Sequence, residues 1–287
     1  MIVRSAEHIT NMYATTVDKT HILLAEDDPI SQQVTRSILE KSGYRVDVAN
    51  NGCEALDLLE KNDYVLVLMD CMMPVLNGYD ATVAIRNQAS AVKNHDIPVI
   101  ALTANAFKED RDRCCAAGMN DFISKPFEVE DVLVALGKWA PIGMPYVLPR
   151  VTVPGGESAM SDIVCNSTAM IFDREEFVQR NMGNLDLSRK VAALFITSAP
   201  EYAGSIRSAL ADRDTIALCQ SAHKLKGASA NLSLPSLSDS ARMIESFTEA
   251  GELEKATEIL TVLEQRLAQA IERLETELMS PQGRECP

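Results

Sequence analysis

Three consecutive carboxylates, Glu26, Asp27 and Asp28, follow a short apolar run, and a fourth, Asp70, closes another such run further along the chain. Thr103 ends a third run and Lys125 follows a fourth. Carboxylates held close together repel one another, so they gather protons or bind a cation. Hard oxygen ligands with room for water suit Mg²⁺. An ammonium and a hydroxyl beside such an ion make an apparatus for a phosphoryl group. The cations neutralise its oxygens, Thr103 donates a hydrogen bond and one carboxylate attacks. Asp70 is best placed for that attack, which would give an aspartyl phosphate. Singly, each of these residues reads as a loop or capping residue; together, a metal-dependent hydrolase is the competing chemistry.

A second candidate lies far along the chain, in the run AHKLKGASANL around His223. His223 stands one residue beyond Ala222, about 100° around a helix from the apolar stripe, so it is expected to face solvent. Lys226 and Gly227, three and four residues on, share its face. Glycine costs about 1 kcal/mol in a helix interior, so Gly227 needs a reason, and room for another protein's backbone is one. Lys226 would supply positive charge for a phosphoryl group carried on the imidazole. His8, His21 and His95 have no comparable neighbours.

The elements that must position these groups follow from periodicity. HILLA (21–25), YRVDVA (44–49), YVLVLM (64–69), PVIAL (98–102) and DFIS (121–124) read as strands. Amphipathic helical stretches lie between them, one containing Ile38 and another Ala55, Leu58 and Leu59, and the series closes on Val132, Val134, Leu136 and Trp139. The third strand is almost continuously apolar, as expected where helices cover both faces of a parallel sheet. Five alternations predict an α/β domain, a doubly wound five-stranded parallel sheet of flavodoxin-like order. Its ligand crevice lies at the C-terminal strand ends, where the carboxylates, Thr103 and Lys125 converge.

From Pro141 to about Met170 the chain is rich in Pro, Gly, Ser and Thr without a period, which reads as a flexible linker. About 30 such residues span roughly 30 Å in the mean, enough for the two parts to meet. From Phe172 onward the pattern is helical, with stripes Leu218, Ala222, Leu225, Ser229, Leu232 and Leu253, Ala256, Leu260, Leu263, Leu267, Ala270, Leu274, Leu278. This predicts an antiparallel helical bundle.

LLAEDD, LMDCMMPVLNGYD, IALTA and FISKPF resemble, in order and spacing, the signatures of the response-regulator receiver domain (CheY-like) across residues 20–140. The resemblance implies that Asp70 is the phosphoacceptor and that Asp27 and Asp70 hold Mg²⁺ with the backbone carbonyl of Met72. Glu26 would act through water, Thr103 and Lys125 would hold phosphoryl oxygens, and Phe122 would be the rotating aromatic of the switch. It also implies a cis Lys125–Pro126 bond, and Asp28 stands where related receivers often carry Asn. Residues 168–280 resemble the histidine-containing phosphotransfer (HPt) domain, a four-helix bundle. By that likeness His223 is the phosphorylated histidine and Lys226 its electrostatic partner. Ser233 stands where many relatives have Gly.

The 287 residues carry 27 basic and 41 acidic side chains, a formal charge of −14. That deficit disfavours contact with nucleic acid or an anionic membrane. Seven cysteines without a CxxC pair suggest neither zinc nor a disulfide framework, and point to reduced thiols in the cytoplasm. No signal peptide or apolar run long enough for a membrane helix is evident. The expected organisation is an extension (1–19), the receiver (20–140), the linker (141–167), the HPt domain (168–280) and a tail (281–287). The expected function is phosphorelay. With both domains placed, no segment remains for an ATP-binding kinase module, so a sensor histidine kinase or a small phosphodonor must supply the phosphoryl group. Downstream receiver or HPt proteins would accept it. A phosphorylation-gated interaction module is one alternative. The receiver–HPt end of a hybrid sensor kinase is another, although Met1 and the polar lead-in favour a complete chain. Whether the receiver pairs with a second copy through its fourth and fifth helices stays open.

Overall fold

The computed structural model describes residues 20–103, 108–140 and 170–279. The proposed extension, linker and tail lie outside the described residues. Five strands alternate with helices: β1 (His21–Ala25), α1 (Pro29–Lys41), β2 (Arg45–Ala49), α2 (Gly52–Lys61), β3 (Leu66–Asp70), α3 (Gly78–Arg86), β4 (Val99–Thr103), α4 (Lys108–Ala117), β5 (Asp121–Ser124) and α5 (Val129–Trp139). The strands are parallel in the order β2-β1-β3-β4-β5. That is the flavodoxin-like order expected from the sequence. β3 and β4 are buried at every position, which is why they carry no polar alternation. On α5, Val132, Ala135 and Leu136 make the buried face, while Val134 is 59% exposed.

Side-chain caps start the helices. Asp28 accepts from Ser31 N at α1, Asn51 from Glu54 N at α2 and Asn77 from Asp80 N at α3, each satisfying an amide that has no partner within its helix. Gly78, the first residue of α3, lies so close to β3 that a Cβ there would fall 2.1 Å from the carbonyl oxygen of Asp70. Only glycine permits that approach, and it fixes β3 against α3.

The second part comprises α6 (Arg174–Arg180), α7 (Leu185–Ala211), α8 (Thr215–Asn231), α9 (Pro235–Glu249) and α10 (Leu253–Leu274), with a π-helical turn over Glu275–Met279. The four long helices form the bundle. The stripe Leu218, Ala222, Leu225, Ser229 and Leu232 is buried throughout. So are Ala256, Leu263, Leu267, Ala270, Leu274 and Leu278, whereas Leu253 and Leu260 are only partly buried. At the end of α8, Ser233 takes a φ of 53°, the left-handed region that glycine occupies at no steric cost. The backbone geometry therefore accounts for the glycine expected there.

Candidate functional site

Strand ends bring the first cluster together. Glu26 and Asp27 follow β1 and Asp70 closes β3, and one oxygen from each lies within 4.8 Å of the others. Glu26 and Asp70 are 1% and 2% exposed. Lys125 enters from β5, with Nζ 2.6 Å from Glu26 Oε2 and 3.0 Å from Asp70 Oδ2. The Lys125–Pro126 bond is cis. Burial pushes the Glu26 carboxyl well above its ordinary value, and Asp70 adds to this while Lys125 opposes it. Burial works against the charge on Lys125, but Asp70 and Glu26 overrule it and hold the ammonium protonated. Asp27 is likewise raised, by burial first, with Lys224 pulling it back.

Met72 donates its amide to Asp70 Oδ1 at 3.2 Å, fixing the carboxylate by a backbone contact that its side chain cannot alter. Phe122 is half-buried, with the Arg111 guanidinium 4.6 Å from its ring centroid. Thr103 is buried at the end of β4, where its carbonyl accepts from Lys125 N.

The second cluster centres on α8. His223 Nδ1 is 2.7 Å from Glu245 Oε1 on α9, and Lys226 Nζ bonds the other oxygen of the same carboxylate. A carboxylate only accepts, so Nδ1 carries a hydrogen and donates it. The lone pair of the neutral ring then lies on Nε2. Burial alone would raise Glu245, but His223 and Lys226 overrule it and hold the carboxyl below its ordinary value.

The expectation that His223 faces solvent is corrected: it is 9% exposed. Its own helix leaves it off the apolar stripe, but α9 and the first domain cover it. Glu245, which orients the ring, was missed in the sequence because it lies on another helix. Gly227 meets nothing within 4 Å at the position of a Cβ, so the described residues press no backbone against it.

The two clusters share one cavity of about 170 Å³, lined by Glu26, Asp27, Asp70 and Lys125 from the first domain and by His223 and Lys226 from the second. A water's share of liquid volume is about 30 Å³, so the cavity has room for a phosphoryl group or a few waters. Thr103, Met72 and Phe122 lie outside its lining. Lys224 reaches across, with Nζ 2.6 Å from Asp27 Oδ2. Glu26, Asp27 and Asp70 are thus gathered within reach of one another, with Lys125 and Lys224 offsetting part of their mutual repulsion. Their hard oxygen donors match a divalent cation in chemistry.

Residues 22–137 match the family model of the response regulator receiver domain, and residues 190–277 match that of the Hpt domain. The chain therefore carries a receiver domain followed by an Hpt domain. It is 27% identical to sensor protein GacS of Pseudomonas syringae pv. syringae over 78% of this chain and 24% of that protein. It is 30% identical to aerobic respiration control sensor protein ArcB of Escherichia coli (strain K12) over 79% of this chain and 28% of ArcB. The chain thus spans about a quarter of the length of these relatives. A solved receiver domain, that of sensor histidine kinase PA1611 from Pseudomonas aeruginosa PAO1, is 43% identical over 42% of this chain and 97% of that one, with a TM-score of 0.39. That structure has a magnesium ion coordinated in its active-site cleft. Among the described residues no helix is long and apolar enough to cross a membrane.

Proposed function

We propose that this chain is a phosphorelay component in which Asp70 and His223 carry the phosphoryl group in turn. The observation that carries this reading is the single cavity lined by both residues. In the forward step the Nε2 lone pair of His223 attacks phosphorus. The bond between phosphorus and Asp70 breaks, and its electron pair returns to the Asp70 carboxylate. The ring becomes cationic as the P–N bond forms, and Glu245 stabilises that charge through Nδ1. Lys125 faces the phosphoryl oxygens from the receiver side and Lys226 from the helical side. The reverse step uses the same groups.

Glu26, Asp27 and Asp70 are suited to hold Mg²⁺, with the Met72 carbonyl as a further ligand. Bound there, the ion would neutralise phosphoryl oxygens. Thr103 would donate to one of those oxygens, and Phe122 would report occupancy by turning its ring. A sensor histidine kinase, on this chain or another, would supply the phosphoryl group. A downstream receiver or HPt protein would accept it. The described cysteines are unpaired thiols, which supports a reducing compartment and hence the cytoplasm.

The test is to supply radiolabelled acetyl phosphate with Mg²⁺ and map the label. Base-labile label lost in Asp70→Asn, with acid-labile label lost in His223→Gln, supports the relay. Label on His223 that survives in Asp70→Asn refutes transfer through the receiver.

A further inference from the structure

We infer that the Hpt domain docks on its own receiver, and that Tyr202, Lys224 and Asn231 recognise Asp28, Asp27 and Ser31 as the matched partner face. This rests on the relay proposed above and names the partner with which the Asp70–His223 step takes place.

The recognised face is the start of α1 and the loop before it. Asp28 caps α1 through Ser31 N with one oxygen, and its other oxygen accepts from the Tyr202 hydroxyl of α7 at 2.6 Å. One side chain thus both starts the receiver's first helix and anchors the second domain. Asn231, at the end of α8, donates from Nδ2 to Ser31 Oγ at 2.9 Å. These two polar residues are 8% and 3% exposed, so neither can turn to water for a partner. A wrong partner would leave a buried polar group unsatisfied, and that loss is what discriminates.

Charge complements the hydrogen bonds. The receiver presents Asp27, Asp28 and, at the start of α5, Glu128. The helical domain presents Lys224, the Tyr202 hydroxyl and Arg180, whose Nη2 lies 3.1 Å from Glu128 Oε1. Arg180 also donates to the Phe127 carbonyl at 3.4 Å, which ties the second domain to the segment following Lys125. Donors thus sit on one domain and acceptors on the other, an arrangement that fixes register between surfaces. Beneath them, apolar side chains of the two domains form one continuous buried cluster, in which Ile30 and Val34 of α1 share a core with Leu225 and Ala228 of α8. Docking in this register is what brings His223 over the acidic cluster.

Two consequences follow. Both acceptor residues are closed to macromolecular partners while the domains are docked, so an external kinase or receiver needs the undocked chain. Holding both domains on one chain also makes their encounter intramolecular, with an effective concentration that a separate chain must exceed. Transfer at micromolar protein is then governed by the chain's own partner.

The experiment uses the full chain, with acetyl phosphate as donor, over a hundredfold range of protein concentration. The expected rate of label transfer from Asp70 to His223 is independent of concentration. A mixture of Asp70→Asn and His223→Gln chains at low micromolar concentration should transfer at least tenfold more slowly. Asn231→Ser, which shortens the donor, should slow transfer about tenfold. Adding Ser31→Asn, which restores the bond in the opposite sense, should recover most of that loss. Hydrogen exchange over residues 29–41 reads docking without any chemistry: slow in the wild type, faster in Asn231→Ser and slow again in the double variant.

A rate proportional to concentration, or α1 exchange indifferent to Asn231→Ser and to the double variant, overturns docking in cis. If label never reaches His223 but α1 exchange follows the variants as expected, the docking stands and the relay falls. If label reaches His223 only between chains, the relay stands and the docking falls.

Discussion

Glu245→Gln isolates the charge that the structure places behind the His223 ring. In the wild type, Glu245 Oε1 lies 2.7 Å from His223 Nδ1, and the two side chains are 13% and 11% exposed. Glutamine keeps an oxygen that can accept from Nδ1–H, so the tautomer and ring orientation persist. The negative charge is removed. As Nε2 bonds to phosphorus the ring becomes cationic, and a carboxylate at this distance stabilises that state more than the neutral one. At an effective dielectric of about 20, unit charges 4 Å apart interact by about 4 kcal/mol before desolvation is counted. A hydrogen bond to a charged group contributes about 1.5–3 kcal/mol net. At about 1.4 kcal/mol per tenfold, transfer from Asp70 to His223 should slow by roughly 10–100-fold. Labelling of Asp70 by acetyl phosphate should be unaffected, since Glu245 does not touch the receiver cluster. Single-turnover transfer from the phosphorylated receiver is the assay. Nitrogen-15 shifts of His223 add an independent readout, with Nδ1 protonated and Nε2 bare in wild type and Glu245→Gln alike. Transfer within twofold of wild type, or a neutral ring protonated on Nε2, would refute the reasoning.

Ser233→Gly should stabilise the helical domain. It relieves a left-handed φ of 53° and removes a buried hydroxyl that has no hydrogen-bond partner among the described residues, against the entropy glycine adds to the unfolded chain. A net gain of about 1 kcal/mol raises Tm by roughly 2–4 °C, which calorimetry reads, and an unchanged or lower Tm contradicts it. Gly78→Ala should lower the receiver's Tm and impair Asp70 labelling together, because its Cβ would lie 2.1 Å from the Asp70 carbonyl oxygen. Gly137→Ala, on α5 with none of the described residues within 4 Å of its Cβ position, should instead be neutral or stabilising by up to about 1 kcal/mol. Acid should weaken both domains through Asp47, Asp121 and Glu245, whose carboxyls burial would raise but hydrogen bonds and cations hold below their ordinary values. For such depressed groups the stabilisation is complete above the unfolded value near 4 and is lost as pH falls through the folded one. Urea midpoints should therefore fall on going from pH 6 to pH 3, and Glu245→Gln should flatten part of that slope.

The sequence alone determined the elements and much of their chemistry. Alternating apolar runs specified the five strands because a buried parallel strand cannot carry polar residues. Since residues at C-terminal strand ends must share one edge, Glu26, Asp27, Asp70, Thr103 and Lys125 could be grouped although far apart in the chain. The stripe through Ala222 and Leu225 likewise fixed which face of α8 packs inward. Contacts between elements were not legible. Helical periodicity describes one helix against an averaged interior, so it placed His223 in solvent, whereas α9 and the docked receiver bury it. Glu245, Tyr202, Asn231 and Ser31 are ordinary surface types in ordinary surroundings, and no local pattern distinguishes them. Their partners are set by how two folded domains meet. Tertiary structure alone decided that Asp70 and His223 face one cavity, because that depends on matched donors and acceptors across an interface that neither domain's periodicity encodes.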